Sequence, residues 1–367
     1  MKKMKKMRNR LLFAIGGILL STIYSCNDDL LVENPTTFAS PGNLYKTAED
    51  AHLVLTGAYD GLQNHFRQDR MPWNWGDVGC DYEIIPSWSG SYKGNYLILS
   101  TSSNSLNLWT YTYEGVQKCN IVINRVEKMD DAVFGDKQYG DETINEKNVI
   151  LAEAKLIRGL TYFYAVMYFG NIPLVLEETT SFDNSLVSQA TPAEVYEQVI
   201  SDLQDAEASL PWVPEVKGHA TKGAAKSLLA KVYLQMTGFP LFETDKFAMA
   251  AAKFKEVIDK AEGTGLYGLM DFYGDIFDYR KENNKEIVFA VEFKGFQLGE
   301  GNNTGTFQGG IGPIAQGGGY ENMYVNYDYV ATFDSSDIRF WWTITNRNIH
   351  GEFNEQNPPY WTPWKWH

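Results

Sequence analysis

The sequence predicts a mainly α-helical protein, in which stacked helical pairs carry long irregular loops and a few short strands. Three observations lead there. Several segments place apolar residues at helical spacing and are bounded by hydroxyl or acidic caps and by glycine or proline stops. One such segment is lined on one side by small residues, as a helix needs where a neighbour comes close. Other stretches are rich in glycine, proline and aromatic residues and have no helical period.

The chain opens with a basic head of Lys2, Lys3, Lys5, Lys6, Arg8 and Arg10, followed by an apolar run from Leu11 to Leu20. That run is too short to span a bilayer, which takes about 20 residues, and it reads as an export signal over residues 1–25. Ile23-Tyr24-Ser25-Cys26 resembles a loose lipobox of the bacterial lipoprotein class, in which Cys26 and the new amino terminus are acylated. Each buried methylene contributes about 0.8 kcal/mol, so several chains on one residue anchor the protein durably. A cysteine beside an ordinary secretory cleavage site is the alternative. Residues 26–45 are polar, with Pro35 and Pro41, and read as a lipidated tether.

Thr47 begins the first helix, with Asp50 completing a capping box and Leu53, Leu55, Ala58 and Leu62 following at near-helical spacing. A second helix from about Ser105 to Met129 turns Leu108, Val116, Ile123 and Val126 inward. The third, from about Ile144 to Phe169, buries Ile150, Ala154, Ile157 and Phe163 and stops at Gly170-Asn171-Ile172-Pro173. Thr191-Pro192-Ala193-Glu194 starts the fourth with a hydroxyl cap, an N1 proline and an N3 glutamate. Two more helices follow near Thr221–Met236 and Asp245–Glu262, the former lined by Gly223, Ala224, Ala225 and Ala230. Helical pairs with small contacts resemble tetratricopeptide repeats, although the repeat period is irregular. Tyr162, Phe163, Tyr164 and Tyr168 are expected in the core of this scaffold. Beyond Gly263, Ile287–Phe293 reads as a strand and Gly295–Gly319 as a glycine-rich loop.

The formal net charge is −14. Loss of residues 1–25 removes six positive charges and no negative ones, taking −14 to about −20. Such a field repels phosphate backbones and anionic headgroups, so no nucleic-acid partner is expected and uncharged cargo is favoured. With Cys26 assigned to lipid, Cys80 and Cys119 can pair in an oxidising compartment, but the fold is expected to stand without that bond.

No metal, cofactor or catalytic residue is expected. The histidines at positions 52, 65, 219, 350 and 367 have no pair at metal-ligand spacing. There is no nucleophile elbow, phosphate loop or EF-hand pattern. Gly310, Gly312 and Ala315 match the letters of a dinucleotide fingerprint, but Pro313 interrupts it and no strand–turn–helix surrounds it. A glycosidase carboxylate pair cannot be singled out, because its separation of about 5–10 Å is set by the fold.

The segment from Phe66 to Tyr96 holds seven aromatic residues in 31: Phe66, Trp73, Trp75, Tyr82, Trp88, Tyr92 and Tyr96. Between them lie Arg67, Asp69, Arg70, Asn74, Asp77, Asp81 and Glu83, with prolines and glycines that oppose helix or central strand. A sugar ring has an apolar C–H face and a rim of hydroxyls, so its site wants flat aromatic platforms edged by amides and carboxylates. Trp73, Asn74, Trp75, Asp77, Asp81, Trp88 and Tyr92 are therefore the candidate ligand contacts. A second group, Tyr320, Asn322, Tyr324, Asn326 and Tyr327, follows the glycine-rich loop and is placed opposite the first, with Tyr320 as its candidate contact. Tryptophans filling a satellite core beneath the loop are the competing reading.

Several separated motifs in order resemble one family. They are Ala48-Glu49-Asp50-Ala51 with Gly57-Ala58-Tyr59-Asp60, Cys119-Asn120-Ile121-Val122-Ile123-Asn124-Arg125, the run Glu153–Phe163, Phe169–Val175, and Thr221–Lys226. Together with Cys26 they are similar to the SusD/RagB-like nutrient-binding lipoproteins of the Bacteroidetes outer membrane. The resemblance implies a tetratricopeptide-like scaffold whose loops hold a glycan, sometimes a peptide. It implies anchoring at the outer membrane and a partner, a SusC-like TonB-dependent transporter over which the protein sits as a lid. A glycoside hydrolase is the runner-up by class. Ligand residues in that family vary with substrate, so only Cys26 carries over. Family members continue with further scaffold helices bearing an Arg-Tyr-Ala-Glu-like run, absent here, so the single domain over 46–367 is expected to lack C-terminal helices.

Overall fold

The computed structural model describes residues 44–67, 80–84, 100, 102–182, 186–293, 324–334, 336–345 and 362–363. The body of the protein, the larger of two compact units, begins at Thr47. That body is led by α1 (Ala48–Phe66), whose start is fixed by the expected capping box: Asp50 N donates to Thr47 Oγ1 at 3.2 Å and Thr47 N to Asp50 Oδ2 at 2.9 Å. Caps of this kind contribute about 1 kcal/mol each. Ala51, Leu55, Ala58 and Leu62 form its buried face. Leu53 is not on it. At two residues from either neighbour it projects to the far side and is 57% exposed.

After the two-residue strand β1 (Glu83–Ile84), helix α2 (Ser103–Val126) packs against α1. Gly61 faces Gly115, Thr112 meets His65 and Lys118 pairs with Asp60, an order that makes the two helices antiparallel. A Cβ on Gly61 would meet the Gly115 Cα at 3.1 Å, so glycine at this crossing is what lets the backbones touch. Leu108, Val116, Ile123 and Val126 are buried as the periodicity requires.

A hairpin, β2 (Asp136–Tyr139) with β3 (Glu142–Asn145), precedes α3 (Glu146–Phe169) and pairs Asp136 with Asn145 and Tyr139 with Glu142. The periodicity does not signal it, since its residues are mostly polar and lack two-residue alternation. Helix α3 is the centre of the body. Ile150, Ala154, Leu156, Ile157, Tyr162 and Phe163 are buried, whereas Tyr164 and Tyr168 stack on each other at its half-buried edge. Gly170, at φ +70, ends it. An extended strap follows, starting at β4 (Ile172–Pro173) and paired with β5 (Gln189–Ala190).

Helix α4 (Pro192–Ser209) starts at the expected Thr191–Glu194 capping box and packs on α3. Helices α5 (Lys222–Met236) and α6 (Lys246–Thr264) extend the stack, so each helix packs on the next in sequence. The small residues of α5 are buried, and Tyr267 lies against Gly223 where a side chain would collide. Helix α6 buries Ala250 and Val257, while Phe247 and Ile258 on its outer side are each 53% exposed.

Residues 287–293 form no strand. No described strand lies alongside to pair with their backbone; Phe289 instead packs on the helical core and the Glu292 carbonyl accepts from Gln63 Nε2 at 2.7 Å. Beyond the glycine-rich stretch, which lies outside the described residues, come β6 (Tyr324–Val325), the short helices α7 (Tyr327–Val330) and α8 (Ile338–Thr343), and β7 (Ile344–Thr345) paired with β8 (Thr362–Pro363). Val325, Val330, Phe340 and Ile344 form a small core there. Cys80 and Cys119 are not joined, and burial of Cys119 inside α2 pushes its thiol pKa up to about 12. Among the described residues no helix is long and apolar enough to cross a membrane.

Candidate functional site

Of the residues singled out for ligand contact, Asp81 lies among the described ones; Trp73, Asn74, Trp75, Asp77, Trp88, Tyr92 and Tyr320 lie outside them, as does Cys26, the expected lipidation site. Asp81 is exposed, in the turn that leads into β1. What holds this turn is the second aromatic group. Strands β1 and β6 are antiparallel, with Glu83 opposite Val325 and Ile84 opposite Tyr324. Next to that pairing, Asn326 N donates to the Tyr82 carbonyl at 2.8 Å and Asn326 Nδ2 to the Asp81 carbonyl at 3.1 Å. Two segments more than two hundred residues apart in sequence are thus joined as the sequence reading placed them.

The local sequence explains the joint. Asn326 also caps α7, its Oδ1 accepting from Asp328 N at 3.0 Å, so one short polar side chain ties the cap to the Asp81 turn. The cap sets the direction of α7, which presents Tyr329 to Tyr82 with ring centroids 5.6 Å apart. Tyr329 is backed edge-on by Phe333 at 5.3 Å, and Phe333 by Phe340 at 5.6 Å, so the ring pair rests on the small core. Tyr327 and Tyr329 are 55% and 40% exposed. Tyr329 was not picked out by composition; its signal is its place three residues after Asn326, on the first turn of a capped helix.

This corner offers tyrosine faces, the exposed Asp81 and Asp328 carboxylates, and an amide committed to holding the fold. Such groups bind by contact and hydrogen bond. Among the described residues no cluster of three or more histidine, cysteine or acidic side chains is arranged to hold a metal ion. The closest thing to a titrating constellation lies in the helix stack. His52 Nε2 meets Glu146 Oε1 at 2.6 Å, and Lys137 Nζ meets the same oxygen at 2.5 Å. Burial opposes the Glu146 charge, but hydrogen bonds from Lys137 and His52 outweigh it and lower the carboxyl pKa. Nearby, Glu153 Oε2 accepts from Tyr59 OH at 2.6 Å and meets His219 Nδ1 at 2.9 Å. Both sets tie α1 to α3 and to the segments that flank them.

The family model for starch-binding proteins associating with the outer membrane, termed SusD-like, matches residues 50–234, half of the chain. The chain belongs to the SusD-like family. A SusD-like protein of Formosa agariphila is 30% identical over 79% of this chain and 54% of its own length. A SusD homologue of Bacteroides thetaiotaomicron superposes with a TM-score of 0.72 at 22% identity, covering 88% of this chain and 67% of its own. A laminarin-binding SusD-like protein gives 0.67 at 21% identity, over 88% and 72% of the two chains. This SusD-like chain spans about half the length of the curated relatives it matches. The matched segment runs from α1 to near the end of α5 and includes the motifs Glu153–Phe163 and Thr221–Lys226; α6 lies beyond it.

Proposed function

We propose that this SusD-like protein is a lipid-anchored binding protein on the outer face of the cell outer membrane, which captures a neutral oligosaccharide and passes it to a SusC-like TonB-dependent transporter. The sugar's bonds stay intact, so the protein is a carrier and not an enzyme. Cys26, exposed by removal of a signal peptide over residues 1–25, is the proposed acylation site, with palmitate or a similar chain. Trp73, Asn74, Trp75, Asp77, Asp81, Trp88, Tyr92 and Tyr320 are the proposed ligand contacts.

The observation that carries this reading is the pairing of β1 with β6, which joins the two aromatic segments and leaves Tyr329, packed against the half-buried Tyr82, exposed at the joint. Pyranose faces stack on such rings, and the carboxylates at the rim accept hydrogen bonds from the hydroxyls. Membership of a family described as starch-binding, and likeness to a laminarin-binding protein, support a glucan-type cargo. The test is calorimetry with laminari- and xylogluco-oligosaccharides, and with peptides of matched size, against Trp73→Ala, Trp75→Ala and Trp88→Ala. Binding of glycan and not peptide, weakened about tenfold or more by at least one substitution, is expected. Unchanged affinity in all three removes the loop as the site, and reducing ends released on long incubation with polysaccharide would make the protein a hydrolase.

A further inference from the structure

Helix α2 carries a second feature that the proposed loop site does not use. Along its outer face, between Trp109 and Lys118, it borders an open groove of about 690 Å³, closed on the other side by the strap residues Pro173, Val175 and Thr179. That volume lies within the range of small-molecule sites, roughly 300–1,000 Å³. None of the residues lining it belongs to the aromatic loop or to the β1–β6 joint.

The walls are set before any ligand arrives. Tyr113 OH donates to the Pro173 carbonyl at 2.8 Å. Gln117 holds Thr179 at both backbone groups, Nε2 donating to its carbonyl at 3.2 Å and Oε1 accepting from its N–H at 2.9 Å. Tyr162 OH and Asn120 Nδ2 grip Val175 from behind at 2.8 and 3.0 Å. The Trp109 ring is braced by Phe169 edge-on at 5.2 Å and tilted against Tyr113 at 4.9 Å. An aromatic surface fixed in this way loses little conformational freedom on binding.

The rim differs from the walls. Thr110 and Glu114 are exposed and, among the described residues, neither side chain has a hydrogen-bond or ion-pair partner. Lys118, the cation of the lining, is already paired with Asp60. The lining thus has one carboxylate and one ammonium, a balance that favours neither an anionic nor a cationic ligand. A mostly apolar floor with an aromatic platform, a hydroxyl and a carboxylate at its edge suits a ring with one apolar face and a hydroxyl rim.

We propose that this groove is a second binding site for a neutral sugar chain, in which a pyranose face lies on Trp109 and ring hydroxyls bond Glu114 and Thr110. The proposal shares its ligand class with the glycan reading above but none of its residues, so the two can fail separately.

The experiment uses the full chain labelled with 5-fluorotryptophan, the Trp109 fluorine resonance being identified by its loss in Trp109→Phe. Laminari- and xylogluco-oligosaccharides are titrated in. A saturable shift of the Trp109 resonance is expected, kept in Trp73→Ala/Trp75→Ala and weakened at least tenfold in Thr110→Val/Glu114→Ala. Both rim residues are exposed, so that double substitution leaves the packing of α2 intact, and its far-ultraviolet circular dichroism and melting are the check. A Trp109 resonance that stays still while other tryptophans respond overturns the groove and leaves the loop site standing. A Trp109 shift untouched by Thr110→Val/Glu114→Ala also overturns it. Silence of every tryptophan overturns both readings.

Discussion

Polar residues do opposite work in the middle of the helix stack and at the β1–β6 joint. In the stack they are buried and spent on one another. Arg158 is 5% exposed, donates to Asp202 through Nε at 2.8 Å and Nη2 at 2.7 Å, and reaches Asn120 Oδ1 at 2.8 Å and the Leu176 carbonyl at 3.3 Å. Burial works against the Arg158 charge, and the Asp202 carboxylate more than restores it, raising the guanidinium pKa. Asn120 in turn donates to the carbonyls of Val175 and Glu177, and Arg125 clamps Glu178 with two bonds of 2.7 Å, so α2, α3 and α4 are riveted to the strap. At the joint Tyr327 and Tyr329 are exposed and the carboxylates of Asp81 and Asp328 face water. The difference teaches that the motifs which reveal the family mark the scaffold, where polar groups are spent on the fold itself.

The largest expected effect breaks the buried pair. Arg158→Met takes the cationic partner from the buried Asp202 carboxylate, which keeps only the Gln198 amide, at a cost of about 3–5 kcal/mol measured by urea denaturation. Adding Asp202→Leu removes the orphaned charge and should recover roughly half of that loss or more. If the folded fraction of Arg158→Met also loses glycan affinity, scaffold and site are not separable and the contrast drawn above fails.

Next come two glycines at helix crossings. Gly61→Ala drives a methyl group to 3.1 Å from backbone at Gly115, which has no way to yield, whereas Gly159→Ala meets the Leu203 and Asp202 side chains at 3.3 and 3.4 Å, where a shift of a few tenths of an ångström relieves the contact. The first should destabilise by about 1–3 kcal/mol despite its better helix propensity. The second should be near neutral, because the propensity gain of about 1 kcal/mol offsets a small repacking cost. Equal effects in thermal melts would show that the α1–α2 crossing is no tighter than the α3–α4 one.

The scaffold was legible because its signals are local. Thr47 with Asp50 and Thr191 with Glu194 each place a hydroxyl and a carboxylate three residues apart, and a capping box needs nothing from the rest of the chain. The inward faces of α2 and α3 followed from a 3.6-residue period alone. Leu53 failed because an apolar residue in a helical run need not lie on its stripe. The 287–293 strand failed because a strand needs a partner edge, which sequence pattern does not supply. Hairpin β2–β3 was missed for the reverse reason, offering the core only Tyr139 and Ile144 among polar residues, too few to make an alternating pattern. At the joint, the pairing of the two aromatic groups was legible from composition, but Tyr329 was not, because its position depends on the Asn326 cap.

A smaller effect tests that joint. Asn326→Ala removes the bond to Asp81 and the cap on α7, while the backbone bond from residue 326 to Tyr82 remains. Loss of a cap costs about 0.5–2 kcal/mol locally. The midpoint of global unfolding should stay nearly unchanged, since the helix stack does not depend on this corner. Oligosaccharide affinity should fall about three- to tenfold, as the Tyr82–Tyr329 pair loses its register. A drop in melting temperature without a drop in affinity would place the joint in the scaffold instead.

The smallest effect is a pH dependence that belongs to the stack alone. His219 stacks on Tyr59 at 4.7 Å and bonds Glu153, and the Tyr59 hydroxyl accepts from Ala220 N at 2.8 Å, pinning the segment between α4 and α5 to α1. Burial pulls the His219 pKa down, but the hydrogen bond and charge of Glu153 outweigh it, leaving the folded value above the ordinary one near 6.5. The contribution is therefore complete below about pH 6.5 and is lost as pH rises through the folded value. Glu146 works with the opposite sign: its lowered pKa gives a contribution present above the usual carboxylate range and lost as pH falls through the folded value. His219→Phe keeps a ring on Tyr59 but no charge, so melts across about pH 6–9 should show a shallower decline on the alkaline side than the parent protein. The acid limb, governed by groups such as Glu146, should not move. Identical alkaline slopes would mean that His219 is neutral in the folded protein and that Tyr59 and Ala220 hold this segment without it.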